Sequence, residues 1–209
     1  MSQLGRSSAI ARWMVVCTAG LVVGIGAALA AGRPVEAIVG MMLVTPILTL
    51  LVGASLGASQ WLALRRLLRR AAWWIPATCL GLGVGLAAGV VTVEQIGTLA
   101  TGHRPHLLAL DAGMRAVSMT AVGAIAGLCL GLAQGFVLRR QAPSVRAWAA
   151  RSAAALAAAF GLASLAVDIA VGGLGSPPGV AVFVTVAGLL LGAGTVRPLL
   201  RASAAPAAG

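Results

Sequence analysis

Six stretches of mainly apolar residues follow one another along this chain of 209 residues. Each is close to the length of about 20 apolar residues that a helix needs to cross a membrane. The stretches are 13–31, 37–63, 72–94, 114–138, 147–171 and 179–196. Only 9% of the residues are charged, against about 25% in an ordinary soluble domain. We therefore predict a single all-α transmembrane domain over residues 1–209, with residues 202–209 as a short disordered tail.

The arginines predict the orientation of this domain. Twelve of them flank the stretches on the side of the two chain ends, and three lie on the other side. Because cytoplasmic segments of membrane proteins are enriched in basic residues, both termini are predicted to be cytoplasmic. The twelve are Arg6, Arg12, Arg65, Arg66, Arg69, Arg70, Arg139, Arg140, Arg146, Arg151, Arg197 and Arg201; the three are Arg33, Arg104 and Arg115. The net charge of +11 would suggest nucleic-acid binding in a soluble protein, but no soluble basic domain is present to carry it.

The first stretch has a second interpretation. Arg6, Arg12, an apolar run and Ala28-Leu29-Ala30 are also typical of a signal peptide and its cleavage site. The run is long for that purpose and matches later parts of the chain, so we expect a retained helix.

An internal repeat organises the six stretches. The segment GASLGASQWLALRR (53–66) aligns without gaps with GLCLGLAQGFVLRR (127–140), at an offset of 74 residues. A weaker third copy, GLLLGAGTVRPLLR (188–201), has Thr195 where the others have glutamine. The preceding stretches begin at Trp13, Trp74 and Trp148. Since stacked repeats bury one another's faces, we predict a six-helix bundle of three helical hairpins, all running in the same direction, with a pseudo-threefold or a staggered arrangement. Inverted-repeat transporters need units of opposite direction, so that architecture is disfavoured.

Glycines spaced four residues apart recur in most of the stretches, for example Gly127 and Gly131. This spacing places them on one helix face, where a second backbone can approach closely. We expect packing within the bundle; self-association through such a face is the alternative.

Few polar residues interrupt the stretches, and three of them occupy corresponding positions in the repeat: Gln60, Gln134 and Thr195. They are predicted either to bond between helices or to line a cavity open to the cytoplasm. Glu94 and Asp168 also correspond to each other and are expected near the outer ends of their helices, where they can pair with an arginine, cap a helix or line a vestibule.

The arginine clusters suit contact with lipids. Basic residues near an anionic membrane surface contribute about 1 kcal/mol each to its attraction. The candidates are Arg65, Arg66, Arg69, Arg70, Arg139 and Arg140. The five tryptophans map to the same side and predict an aromatic belt at the headgroup level.

Motifs for catalysis are not found in the sequence. His103 and His106, with Asp111 nearby, are a weak metal site at best, because a third convincing ligand is missing. Cys17, Cys79 and Cys129 lie inside apolar stretches and have no CxxC spacing. We therefore expect no enzyme activity, no cofactor and no structural metal.

The two Gln-to-Arg segments, with Trp74 and Trp148 following them, carry one resemblance. The chain resembles small bacterial multi-pass membrane proteins of unknown function with G-x3-G-x2-Q-W-x2-L-R-R segments; Gly135 replaces the tryptophan in the second copy. The resemblance implies a membrane protein of unknown function and assigns no catalytic residue. We expect it in the bacterial inner membrane.

Three functions fit these features. The first, slightly favoured by the scarcity of polar groups, is an accessory subunit of a larger membrane complex. The second is a small carrier or channel for an apolar or lipid-like solute, with Gln60, Gln134, Thr195, Thr45 and Thr49 around a cavity. The third is a protein that interacts with anionic lipids through its arginines.

Overall fold

The computed structural model is all-helical in the residues that it describes, which are 3–39, 41–65, 71–102, 110–139, 144–171 and 177–204. Side chains are described for 10–32, 46–65, 71–100, 102, 110–139, 144–170 and 178–195. The six α-helices are α1 (Gln3–Val39), α2 (Met41–Leu64), α3 (Trp74–Thr101), α4 (Ala112–Leu138), α5 (Val145–Val171) and α6 (Pro177–Ala204). A short 3-10 turn, Ala71–Trp73, leads into α3.

Each of the six helices contains a segment that is long and apolar enough to cross a membrane. The prediction of six such helices in an all-α chain is thus confirmed. The helices themselves run past the apolar stretches at several ends. Residues 32–36, between the first two predicted stretches, belong to α1, and residues 202–204 of the predicted tail belong to α6. Helical hydrogen bonding depends on the backbone, so it does not stop where the apolar side chains do.

The six helices form a closed ring. Each packs mainly against the helices before and after it in the chain, and α6 packs against α1 to complete the circle. The helices alternate in direction, so the starts of α1, α3 and α5 meet the ends of α2, α4 and α6. Trp13, Trp74 and Trp148 lie there, and we call it the tryptophan end.

Glycines determine how closely neighbouring helices approach at this end. A Cβ on Gly131 of α4 would lie 2.6 Å from the Cα of Ala149 in α5. The corresponding distances are 3.1 Å between Gly57 and Ile75, and 2.7 Å between Gly192 and Met14. Since such contacts are far below van der Waals separation, larger residues would force the helices apart. One turn further along, Gly53, Gly127 and Gly188 approach Cys79, Ala153 and Thr18 in the same way.

Candidate functional site

Three tryptophans are buried in the bundle. Trp13 is 5% exposed, Trp74 is fully buried and Trp148 is 3% exposed. The expectation that all five tryptophans form a belt facing lipid is therefore wrong for these three. Trp73, which is 66% exposed, lies in a position that suits a belt. A buried indole needs an acceptor for its N–H group, and the partners of these tryptophans define the site.

Each bonded indole donates to a residue on the helix that precedes it in the ring. Trp74 Nε1 donates to Oε1 of Gln60 over 2.9 Å, from α3 to α2. Trp13 Nε1 donates to Oγ1 of Thr195 over 3.0 Å, from α1 to α6. Thr195 thus accepts an indole N–H as Gln60 does. The bond from Trp13 to Thr195 joins α1 to α6, where the ring closes.

The glutamines also reach the residue four positions after a tryptophan. Gln60 Nε2 donates to Cys17 Sγ over 3.5 Å, and Gln134 Nε2 donates to Thr78 Oγ1 over 3.0 Å. Gln134 Nε2 also lies 3.3 Å from Gln60 Oε1, across the ring. The amides of Gln60 and Gln134 therefore bond between helices, which is one of the two roles expected for them.

These side chains form one polar layer that crosses the ring and contains residues of all six helices. All are at most 5% exposed. The members of the polar layer are Trp13, Trp74, Trp148, Gln60, Gln134, Thr195, Cys17, Thr78 and Ser152. The tryptophans, the glutamines and Thr195 stand out in the sequence, whereas Cys17, Thr78 and Ser152 were not predicted as a set. The available signal was a small polarisable or hydroxyl residue four positions after each tryptophan.

Two atoms of the polar layer differ from the rest. Trp148 Nε1 and Ser152 Oγ are buried and have no hydrogen-bond partner in the part of the chain that the structure describes. Their counterparts Trp74 and Thr78 are both bonded. The indole of Trp148 instead packs edge-to-face against Trp74, with ring centroids 6.2 Å apart.

Six leucines, one from each helix, lie one helical turn from the polar layer, about 6 Å along the helix axes. They line one end of a central cavity of about 250 Å³. We call them the leucine floor: Leu21, Leu56, Leu82, Leu130, Leu156 and Leu191. Five of the six are buried, and Leu21 is half-buried.

The cavity is apolar along its described walls. Beyond the leucine floor it is lined by half-buried side chains such as Ile25, Leu86 and Phe160. Phe160 packs against Phe183 with ring centroids 5.4 Å apart. Thr49 is the one polar residue among the described lining residues. Gln60, Gln134 and Thr195, the other described residues proposed to line a cavity, lie on the far side of the leucine floor instead. Thr45 lies outside the described side chains.

The opposite end of the bundle carries the acidic residues. Asp168 of α5 forms an ion pair with Arg115 of α4, with 3.2 Å between the charged groups. Asp111 caps α4 by accepting a hydrogen bond from the backbone N–H of Met114. Glu94 is half-buried on α3. Asp168 thus pairs with an arginine, which is one of the roles expected for it, whereas Glu94 lies on α3 and is not part of this ion pair.

The described arginines at the tryptophan end face outward. Arg65 and Arg139 are exposed, and each guanidinium lies over an aromatic ring of its own helix. The distances are 5.5 Å to Trp61 and 5.7 Å to Phe136, within cation–π range. Arg66, Arg69, Arg70 and Arg140 lie outside the described residues.

Within the described residues, no group of three or more potential ligands is positioned to hold a metal ion. His103 and His106 fall outside that part of the chain. Cys17, Cys79 and Cys129 are free thiols. Comparisons with protein-family models, curated proteins and solved structures give no match to this chain.

Proposed function

We propose that this protein is a multi-pass protein of the bacterial inner membrane whose central cavity binds an apolar molecule or the acyl chain of a lipid. The observation that carries the proposal is the cavity of about 250 Å³, which residues from all six helices line and in which Thr49 is the one polar group described. The same chain would act as a small carrier if bound molecules exchange across the membrane.

The size and chemistry of the cavity favour an apolar ligand. An apolar cavity of about 150 Å³ in another protein stays dry and binds benzene. A cavity of about 250 Å³ therefore accommodates a somewhat larger apolar molecule or the end of an acyl chain. Binding follows from the hydrophobic effect, at roughly 25 cal/mol per Å² of apolar surface removed from water.

The direction of entry follows from the walls. The leucine floor is buried, and beneath it the polar layer joins the helices by hydrogen bonds. The half-buried residues Ile25 and Leu86 lie towards the opposite end. A ligand is accordingly proposed to enter from the opposite end, with its apolar part towards the leucine floor.

The orientation in the membrane is part of the proposal. Arg12, Arg65, Arg139, Arg146 and Arg151 are all exposed and all belong to the tryptophan end. Because basic residues mark the cytoplasmic side, the tryptophan end and both termini are placed in the cytoplasm. The cavity then opens towards the outer leaflet.

We also propose that the three copies of the sequence repeat occupy equivalent positions in the bundle. Corresponding glycines meet corresponding residues: Gly53 and Cys79, Gly127 and Ala153, Gly188 and Thr18. The residues that form the leucine floor correspond in the same way. Three hairpins arranged around a pseudo-threefold axis would produce a single cavity on that axis.

The small-residue faces give the accessory-subunit hypothesis no support. The paired small residues that were candidates for a partner surface pack against helices of the same chain, as Gly24 packs on Val52 and Gly85 on Ala126. Gly26 makes no such contact, because a Cβ added to it would have no atom within 4 Å. Contact with anionic lipids through Arg65 and Arg139 is compatible with cavity binding and would hold the tryptophan end at the headgroups.

A photoreactive lipid tests the proposal. The protein is reconstituted in nanodiscs containing phosphatidylcholine with a diazirine at the end of one acyl chain, and adducts are mapped by mass spectrometry after illumination. Adducts on the leucine floor are expected for an acyl-chain ligand. A co-purifying apolar molecule in about equal amount to the protein would identify a different occupant of the same cavity.

A matched pair of variants makes this test specific. Ile25→Phe/Leu86→Phe fills the cavity and should remove the inner adducts or the co-purifying molecule. Val23→Phe/Val84→Phe adds the same rings at positions that are 62% and 60% exposed and should leave both unchanged. Adducts confined to outward side chains, with no molecule retained, would reject cavity binding.

A further inference from the structure

The polar layer contains a place where protein atoms alone do not complete the hydrogen bonding. We infer that a buried water molecule binds there, accepting a hydrogen bond from Trp148 Nε1 and donating one to Ser152 Oγ. This inference is independent of the cavity's ligand, because the site lies on the other side of the leucine floor.

The first observation is the pair of unpartnered atoms. Trp148 is 3% exposed and Ser152 is 1% exposed, and neither Nε1 nor Oγ has a hydrogen-bond partner among the described residues. Leaving buried polar groups unbonded is costly, so these two atoms need a partner. The residues are four apart on α5, so both side chains lie on the same face of the helix.

The second observation is how the corresponding residues of α3 are bonded. The hydroxyl of Thr78 donates to its own helix, at the carbonyl oxygen of Trp74, over 2.8 Å. It also accepts from the amide of Gln134. Trp74 in turn donates to Gln60. The α3 pair therefore needs an outside donor and an outside acceptor, and two glutamine amides supply them.

The α5 pair lacks both of these amides. Gln134 directs its Nε2 towards Thr78 and Gln60. Thr195 occupies the position from which a third glutamine would reach Ser152, and its hydroxyl donates to the carbonyl oxygen of Leu191 over 2.7 Å. Threonine has no terminal amide to extend further. Trp148 and Ser152 therefore need a small group that accepts a hydrogen bond from the indole N–H and donates one to the hydroxyl oxygen.

Water meets these requirements. It accepts from an indole N–H and donates to a hydroxyl oxygen, and buried waters typically make about three hydrogen bonds to groups that lack other partners. Ser152 remains able to donate to the carbonyl oxygen of Trp148, as Thr78 does to that of Trp74. A hydroxyl that turned only to this carbonyl would still leave the indole of Trp148 without an acceptor.

Solution NMR on the full-length protein in nanodiscs tests the inference. The five indole N–H signals are assigned by single Trp→Phe variants and examined for magnetisation transfer from water. A transfer peak is expected at Trp148, despite its burial, and not at Trp74, which donates to Gln60. Trp73 is the exposed positive control. A Trp148 signal without transfer from water overturns the inference.

Thermal stability provides the second readout. Ser152→Ala removes the hydroxyl that receives the water's hydrogen bond, so the melting temperature should fall by about 2–4 °C and the transfer peak should weaken. Ser152→Thr keeps the hydroxyl, in the form that Thr78 already has, and should retain the peak. If Ser152→Ala instead leaves the melting temperature unchanged or raises it, the hydroxyl was unbonded and no water is held there.

Discussion

At the tryptophan end, side chains from all six helices meet across the ring, and those of α1, α2, α3, α4 and α6 form hydrogen bonds with one another. Beyond the leucine floor the same six helices leave about 250 Å³ between them. Directional hydrogen bonds, such as those from Trp74 to Gln60 and from Gln134 to Thr78, fix distances between helices. Apolar contacts carry no such direction. The comparison indicates that the bonded end sets the diameter of the ring and that the cavity is the space which this diameter leaves open.

The largest expected effect comes from adding volume at the bonded end. Gly131→Leu would force α4 away from Ala149 of α5, where a Cβ already has only 2.6 Å. We expect a loss of about 3 kcal/mol or more of stability, measured by thermal unfolding and gel filtration in one detergent. Gly26→Leu is the control, because it gains the same helix propensity with no atom within 4 Å of its Cβ. Equal losses in both variants would contradict the packing argument.

Removing a central amide should have the next largest effect. Gln60→Leu leaves the indole of Trp74 without its acceptor and Cys17 without its donor, at a cost of about 2–3 kcal/mol. Thr49→Val, on the same helix but in the cavity wall, should cost about 1 kcal/mol or less. Chemical or thermal unfolding of both variants compares the two losses of stability. A larger loss for Thr49→Val would contradict the view that the tryptophan end holds the helices at fixed distances.

Two neighbouring tryptophans offer a finer test. Trp74→Phe deletes a buried N–H that donates to Gln60, and should destabilise the protein by about 1–2 kcal/mol. Trp73→Phe changes a side chain that is 66% exposed and should change stability by less than about 0.5 kcal/mol. The unfolding midpoints of the two variants are measured side by side. Equal losses of stability would contradict a stabilising role for the buried hydrogen bond of Trp74.

The smallest effect is expected where volume is added in the cavity. Ile25→Phe/Leu86→Phe brings rings to the level of Phe160, into space that is already open. The stability of this double variant should stay within about 1 kcal/mol of the parent protein, in contrast to the much larger loss expected for Gly131→Leu. A loss as large as that of Gly131→Leu would show that the two halves of the bundle are packed equally tightly.

The sequence was sufficient for the parts of the fold that depend on local pattern. Apolar stretches of sufficient length predicted the six helices, and the spacing of Gly127 and Gly131 predicted a close helix contact. Gln60 and Gln134 were singled out because amides are scarce in such stretches. Each of these signals lies within a single helix, where periodicity can be read directly.

Features that depend on the meeting of distant helices were not predicted. The contact of α6 with α1 closes the ring, whereas the repeat left a pseudo-threefold and a staggered arrangement open. Trp13 was assigned to the lipid interface because nothing nearby in the chain indicates that Thr195, at the other end of the sequence, accepts its N–H. The apolar cavity has no sequence signature, since the leucines that line it resemble those that face lipid.

Closure of the ring through α6 and α1 means that the packing does not dictate at which helix the chain starts. The first and last helices are neighbours, and the hydrogen bond from Trp13 to Thr195 joins them as the bond from Trp74 to Gln60 joins α2 and α3. A circular permutant that starts at α3 and ends at α2, with a linker between the original ends, would keep every one of these contacts. In topological terms, the chain can therefore be opened between α2 and α3 without loss of a contact between neighbouring helices.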